Sequence, residues 1–386
     1  MSDGATLSSP GALIALRRAL HGAPDLAGSE HRTASMVRDF LTQHPPDTWI
    51  EGIGGTGFVA LYEGSEPGPR LLFRAELDAL PIPESIELAH GSDRPGVSHK
   101  CGHDGHMAMV AGLAPELSRM RPACGSVALL FQPAEETGEG AERVIDDPLY
   151  AKVAPDRVFA LHNLPGYPLG SVIVRPGPFA SASTGLIVEL TGATSHASEP
   201  ESGNSPALAV ASLIQSFSAV PQRFTSLHEA AQVTIVHAKV GEVAFGTSPG
   251  AGVVMATLRS HQQDVMDRIS ERCLALARGT AETFGLQMRT RWTEPFPATH
   301  NDPESVALVV EAALALGLNV IHRDVPFPWS EDFGRFTQRH RGALFGLGAG
   351  EGQPPLHHPT YDFPDDALSV GTRVFLAILR GMLGPT

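Results

Sequence analysis

Cys101-Gly-His103-Asp104-Gly-His106 gathers a thiol, two imidazoles and a carboxyl on one short segment. A thiolate and an imidazole two residues apart can reach one metal cluster if the backbone between them is loop-like, and the two glycines permit such a loop. His106 follows His103 by three residues, a spacing that lets both share a helix face. A buried structural cysteine beside a helix-capping aspartate would explain Cys101 and Asp104 taken singly. With His99 also close by, the density of donors favours metal. In Phe131-Gln-Pro-Ala-Glu135-Glu136, two adjacent carboxylates are costly if both are buried and unpaired. Division of labour resolves this: one ligates a metal and the other takes a proton from water. A solvated acidic turn is the competing reading, since Glu139 and Glu142 follow. His162, in Ala-Leu-His-Asn, and the pair His357-His358 before Pro359 are further candidate ligands, and either histidine of the pair could serve. Gly192-Ala-Thr-Ser-His196-Ala-Ser-Glu-Pro200 sets a histidine in a glycine-bounded loop, where it could donate to a developing oxyanion.

These residues need elements to hold them. Pro10 opens a helix with Leu13, Leu16 and Leu20 on one face, and a second helix covers Glu30 to Thr42 with Ala34, Val37 and Leu41 inward. Continuous apolar runs at Phe58–Leu61, Arg70–Phe73, Ser126–Phe131 and Arg157–Leu161 read as strands buried on both faces, with a helix from His106 to Arg119 between two of them. Alternation of this kind predicts an α/β domain. Glu76 and Asp78, Glu135 and Glu136, and His162 fall at the ends of three runs, where open α/β sheets bind ligands. From Ser181 the order changes. Gly185–Leu190 reads as a strand and Ala207–Phe217 as a helix entered through Ser205-Pro206. Gln232–Val240 and Gly252–Leu258 are strands, Gln263–Phe284 a long helix and Gln287–Trp292 a last strand. That βαββαβ order is the signature of a ferredoxin-like unit. Helical patterning resumes near Asp302. The expected organisation is an α/β catalytic domain with a mixed central sheet and the metal site at strand carboxyl ends, formed by residues 1–180 and 295–386. A smaller α+β domain, residues 181–294, interrupts it.

A chain of 386 residues exceeds one compact core of usual size. A formal net charge of -14 makes the chain a poor candidate for binding phosphate backbones, so no nucleic acid is expected. No basic region precedes an apolar run at the Met-Ser-Asp-Gly-Ala-Thr start, and no stretch of about 20 apolar residues could span a membrane. Three cysteines, Cys101, Cys124 and Cys273, make no disulfide framework and suit a reducing, cytoplasmic setting.

Taken in order, Arg74-Ala-Glu76-Leu-Asp78-Ala-Leu-Pro81, Cys101 to His106, Phe131 to Glu136, Gly192 to Pro200, Ser330-Glu-Asp-Phe333 and His357 carry a resemblance. The chain is similar to the hippurate hydrolase and auxin-conjugate amidohydrolase branch of the metallo-aminoacylase/carboxypeptidase superfamily, and Leu16-Arg-Arg-Ala-Leu-His21 with Pro24 and Glu30 resembles that branch's N-terminal helix. The resemblance implies Cys101, His103, Glu136, His162 and His357 as ligands of two divalent ions bridged by the cysteine. It implies Glu135 as the general base that later protonates the leaving nitrogen. His196 would be the oxyanion donor, from the partner subunit of a homodimer in related enzymes, and the inserted domain a lid and dimerisation domain. Arg259 matches a family arginine near the substrate carboxylate. Mixed thiolate, imidazole and carboxylate donors suit Zn, Mn, Co or Ni.

Two departures stand out. Glu76 replaces the usual Asp. Gly246, in Phe245-Gly-Thr-Ser-Pro249, replaces an Asn that helps hold the substrate carboxylate, which predicts altered specificity. The function expected is metal-dependent hydrolysis of the amide bond of an N-acyl amino acid or related small conjugate. Competing readings are a deaminase of an activated amine, a carboxypeptidase on a small peptide-like substrate, a non-catalytic binding protein and a papain-like cysteine nucleophile at Cys101.

Overall fold

The computed structural model describes residues 10–384, so the N-terminal hexapeptide read above lies outside the described residues. The chain forms two compact units. One holds the chain up to Phe179, Thr299–Val325 and the chain from Asp332; the other holds Ala180–Ala298 with Pro326–Glu331. The short return segment joins the second unit because Ser181 N donates to Trp329 O at 3.0 Å and Ala180 bridges to Phe327.

The first unit is built on an eight-stranded mixed sheet. Its order is Thr48–Ile53, Gly57–Glu63, Cys124–Gln132, Glu66–Glu76, Arg157–Pro165, Arg341–Gly350, Val172–Val174, Val320–His322. Glu66–Glu76 runs parallel to both Cys124–Gln132 and Arg157–Pro165, and Arg157–Pro165 parallel to Arg341–Gly350. Four parallel carboxyl ends therefore lie along one edge, where Glu76, Gln132 and His162 fall. The strands are buried along nearly their whole length because helices cover the sheet. Leu13, Leu16 and Leu20 of helix Pro10–Gly22 and Val37 and Leu41 of helix His31–Thr42 enter one core with Phe73, Phe345 and Phe375.

The helix expected over His106–Arg119 is two helices, His103–Ala111 and Ala114–Arg119. Pro115 lacks the N–H an uninterrupted helix needs there and sits in the first turn of the second helix instead. The first helix starts three residues early, so His103 is its opening residue rather than part of a loop.

The second unit has the antiparallel order Ala231–Val240, Ala251–Ser260, Ala182–Thr191, Gln287–Phe296, with helices Ala207–Phe224 and Gln263–Thr283 packed on it. This is the strand order of a ferredoxin-like sheet. The helix runs past Phe217 to Phe224 despite Pro221, and Pro206, not Ser205, is its capping residue. A two-residue ribbon pairs Ser195–His196 with Thr247–Ser248.

Candidate metal centre and active site

Gly102 takes a left-handed conformation, φ 89°, between Cys101 and the helix that His103 opens. A side chain there would strike the Asn163 amide at 2.6 Å, so glycine is required twice over. His103 and His162 are both buried. His103 Nδ1 stands 2.8 Å from Asp78 O and His162 Nδ1 3.0 Å from Asn163 O. A carbonyl only accepts, so each ring carries its proton on Nδ1 and presents the Nε2 lone pair, the form that binds metal. His162 Nε2 lies 3.5 Å from Cys101 Sγ, and His103 Nε2 lies 3.8 Å from both Glu135 Oε2 and Glu136 Oε1. His357 Nε2 lies 3.9 Å from Glu136 Oε1, while His358 turns its Nδ1 to Thr360. Of that pair, His357 is the one brought to the cluster. Its backbone is left-handed, φ 64°, and is held by its own N–H to Lys100 O at 2.8 Å.

The donors fall into overlapping groups whose ligand atoms all lie within 4.8 Å of one another: Cys101, His103 and His162; Cys101, Glu136 and His357; and His103, Glu135 and Glu136. The first two share one sulfur. Together with the fixed tautomers, this donor chemistry fits divalent ions. Buried Asp78 Oδ1 has no hydrogen-bond partner among the described residues and stands 3.7 Å from His103 Nδ1, and Asp78 Oδ2 accepts from Glu136 N at 2.9 Å. Burial pushes the Asp78 carboxyl up to about 7 against the hydrogen bond from Glu136 N.

A further group, Glu76, His103 and His106, is accounted for by hydrogen bonds. Glu76 Oε2 binds His106 Nδ1 at 2.7 Å and its other oxygen binds Arg74; His106 Nε2 stands 2.6 Å from Asn163 Oδ1. Burial alone would raise the Glu76 carboxyl, but Arg74 and His106 hold it well below the usual range. The glutamate thus reaches His106 and Arg74, and His106 is a support.

Residues to which the sequence assigned no part in the site support the loop. Asp104 accepts from His21 Nδ1 at 2.8 Å and faces Arg17 Nε at 2.9 Å; His21 Nε2 meets Glu84 at 2.8 Å, and Lys100 Nζ donates to Glu84 at 2.5 Å. Asp332 accepts from Gln132 Nε2 and from Ala141 N, both at 2.8 Å, and also pairs with Arg74. Its own N–H stands 3.4 Å from Glu135 Oε1.

The second unit carries the remaining candidates. His196 pairs with Thr247, and Gly246 O accepts from Ala197 N at 3.0 Å, so His196 and Gly246 share one ribbon. Ser198 N donates to His196 Nδ1 at 3.1 Å, which leaves the neutral ring's proton on Nε2, ready to donate. A side chain on Gly246 would meet nothing within 4 Å. Arg259 donates to Pro328 O at 3.1 Å and to Ser330 Oγ at 3.2 Å.

Residues 72–381 match Peptidase family M20/M25/M40. The chain belongs to this family. It is 30% identical over 364 residues to an N-acetylcysteine deacetylase of Bacillus subtilis, covering 94% of both chains. It is 28% identical to an N-acetyldiaminopimelate deacetylase of Exiguobacterium sibiricum, covering 92% of this chain and 95% of that one. Among solved structures, it is similar to the Bacillus subtilis YXEP protein, a dinuclear metal-binding peptidase of family M20, with TM-score 0.82 and 27% identity over 98% of this chain and 99% of that one. The match makes this M20 chain a metal-dependent hydrolase and agrees with its mixed α/β architecture. The relatives' names point to N-acetyl deacetylases rather than specifically to the hippurate and auxin-conjugate branch. Among the described residues no helix is long and apolar enough to cross a membrane.

Proposed function

We propose that this M20 protein hydrolyses the amide bond of N-acyl amino acids, with two divalent ions per subunit. The observation that carries the reading is the pair of donor groups that share Cys101 Sγ, with Glu135 against the same cluster. Cys101, His103 and His162 would hold one ion, and Cys101, Glu136 and His357 the other. Such ions, when bound, polarise an amide carbonyl and make water more acidic. Glu135 takes the proton from the attacking water and returns it to the leaving nitrogen; general-base catalysis of this kind contributes roughly 10²–10⁴-fold. His196 Nε2–H donates to the oxygen on which negative charge develops.

The first unit acts as catalytic domain and the second as lid and dimerisation domain of a homodimer, with Arg259 as the residue for the substrate carboxylate and Gly246 as the source of altered specificity. The relatives' names favour a short acyl group; benzoyl and indoleacetyl conjugates of the hippurate and auxin branch are the longer alternative. Cysteines that form no disulfide among the described residues suit a cytoplasmic enzyme. The test is amine release from N-acetyl, N-benzoyl and longer N-acyl amino acids, with and without Mn or Zn, in wild type and Glu135→Ala. Metal-dependent release that collapses in the variant is expected. Ammonia without a carboxylic acid product would replace this reading with deamination.

A further inference from the structure

Glu30 precedes the helix His31–Thr42 and is fully buried. Its Oε1 accepts from Gly28 N at 2.7 Å and from Ala134 N at 2.9 Å, and its Oε2 accepts from Thr56 Oγ1 at 2.6 Å. Among the described residues it has no ion pair, and its hydrogen bonds come from neutral donors. A carboxyl is costly to bury on such terms, which makes its placement informative.

One of those donors matters for chemistry. Ala134, at φ 52°, lies in the left-handed region that an alanine rarely occupies, and it immediately precedes Glu135. Alanine has no polar side chain with which to stabilise that conformation. Its backbone is fixed from outside on both sides: its N–H by Glu30 and its carbonyl by Gly140 N at 3.0 Å. The neighbours leave little slack. A side chain on Gly140 would lie 1.7 Å from Pro133 O, and one on Gly57 would lie 2.8 Å from Pro133 Cδ. On the far side of Glu135, Asp78 takes the Glu136 N–H. The direction in which Glu135 leaves the backbone is therefore set by two buried carboxyl groups, Glu30 through Ala134 N and Asp78 through Glu136 N.

We propose that Glu30 is a positioning residue for Glu135, acting through the Ala134 N–H. This rests on the reading of Glu135 as general base. The bond pattern, rather than the charge, carries the role. A carboxamide at position 30 can keep one oxygen on Gly28 N and Ala134 N and turn its NH₂ to Thr56 Oγ1, which then accepts.

The experiment compares wild type, Glu30→Gln, Glu30→Ala, Glu30→Asp and Thr56→Val, all metal-loaded, with Glu135→Ala alongside. Three readouts are taken: kcat and KM, bound metal, and amide exchange of the segment holding Ala134. Glu30→Ala loses about 10–100-fold in kcat with KM and metal content near wild type, on the scale of a small misplacement of a catalytic group. Its Ala134 amide loses protection while the strand Cys124–Gln132 keeps it. Glu30→Gln and Thr56→Val stay within about threefold of wild type, as oriented hydrogen bonding requires. If Glu30→Ala does not fold, Glu30→Asp carries the same test, since the shorter arm cannot reach Ala134 N. The proposal is overturned if Glu30→Gln loses as much as Glu30→Ala, if kcat survives loss of Ala134 protection, or if protection is unchanged. Activity retained in Glu135→Ala overturns the base reading instead, and the exchange data still report whether Glu30 holds the turn.

Discussion

His21 has carboxylates on both ring nitrogens, Asp104 on Nδ1 and Glu84 on Nε2, each at 2.8 Å, and its side chain is fully buried. Burial works against its protonation and Arg17 opposes it further, yet the two carboxylates raise its pKa from 6.5 to about 9. Carrying the proton across that range corresponds to about 3 kcal/mol of folding stability. The sign follows from proton counting. Between pH 6.5 and 9 the folded chain holds a proton the unfolded chain has lost. Stability then falls by about 1.4 kcal/mol per pH unit as pH rises. The contribution is whole below pH 6.5 and gone above about 9. Glu84, held down to about 2, contributes above 4.5 and loses its contribution as pH falls through 2, outside this window. Replacing His21 by Gln keeps a donor but removes the titration. Urea unfolding of both proteins in chelator, in half-unit steps from pH 6 to 10, should give a difference that is constant up to 6.5 and shrinks by about 3 kcal/mol by pH 10. Other titrating groups, Asp78 among them, are common to both proteins and cancel. A difference that stays flat through this range, or widens, would refute the argument.

Other expectations concern the site. His162→Ala should lower bound metal from two ions towards one per subunit, whereas Cys101→Ala should deplete both, because its sulfur serves both donor groups; elemental analysis reads this directly. His196→Ala should reduce kcat about 10²–10³-fold with metal content unchanged, as loss of an oxyanion donor does, measured by steady-state kinetics. Gly246→Asn meets no steric obstacle and should raise kcat/KM on N-acetyl amino acids; no change with the native substrate in hand would count against the carboxylate role. Gly140→Ala should destabilise by about 1–3 kcal/mol, since the new methyl would overlap Pro133 O, and denaturant unfolding would show it.

The sequence made the site more legible than its supports. Clustered donors such as Cys101, His103, Glu135 and Glu136 announce themselves because chemistry restricts which residues can serve. Continuous apolar runs located the central strands because strands buried on both faces leave no alternation to disguise them. The ferredoxin-like order was readable for the opposite reason, since its helices are long and amphipathic. Strand Arg341–Gly350 was not found. Gly342, Gly346 and Gly348 give it a poor strand pattern, and only the structure shows why they are there: side chains at 346 and 348 would strike Leu164 and Pro168 O near 2.2 and 2.0 Å. The supporting roles of Asn163, Arg17 and Glu84 were missed because a supporting residue has no signature of type; its role exists only through partners far away in sequence. The early start of helix His103–Ala111 was missed because Gly102 reads as a loop residue, when it is the left-handed turn that admits the helix.

The acceptors on His103 and His162 are peptide carbonyls, not side chains. No single codon change can remove them. Drift that alters neighbouring carboxylates can change the charge around these imidazoles but cannot swap which nitrogen carries the proton. The tautomer is inherited with the backbone path itself, so the donor atoms do not depend on the side chains around them.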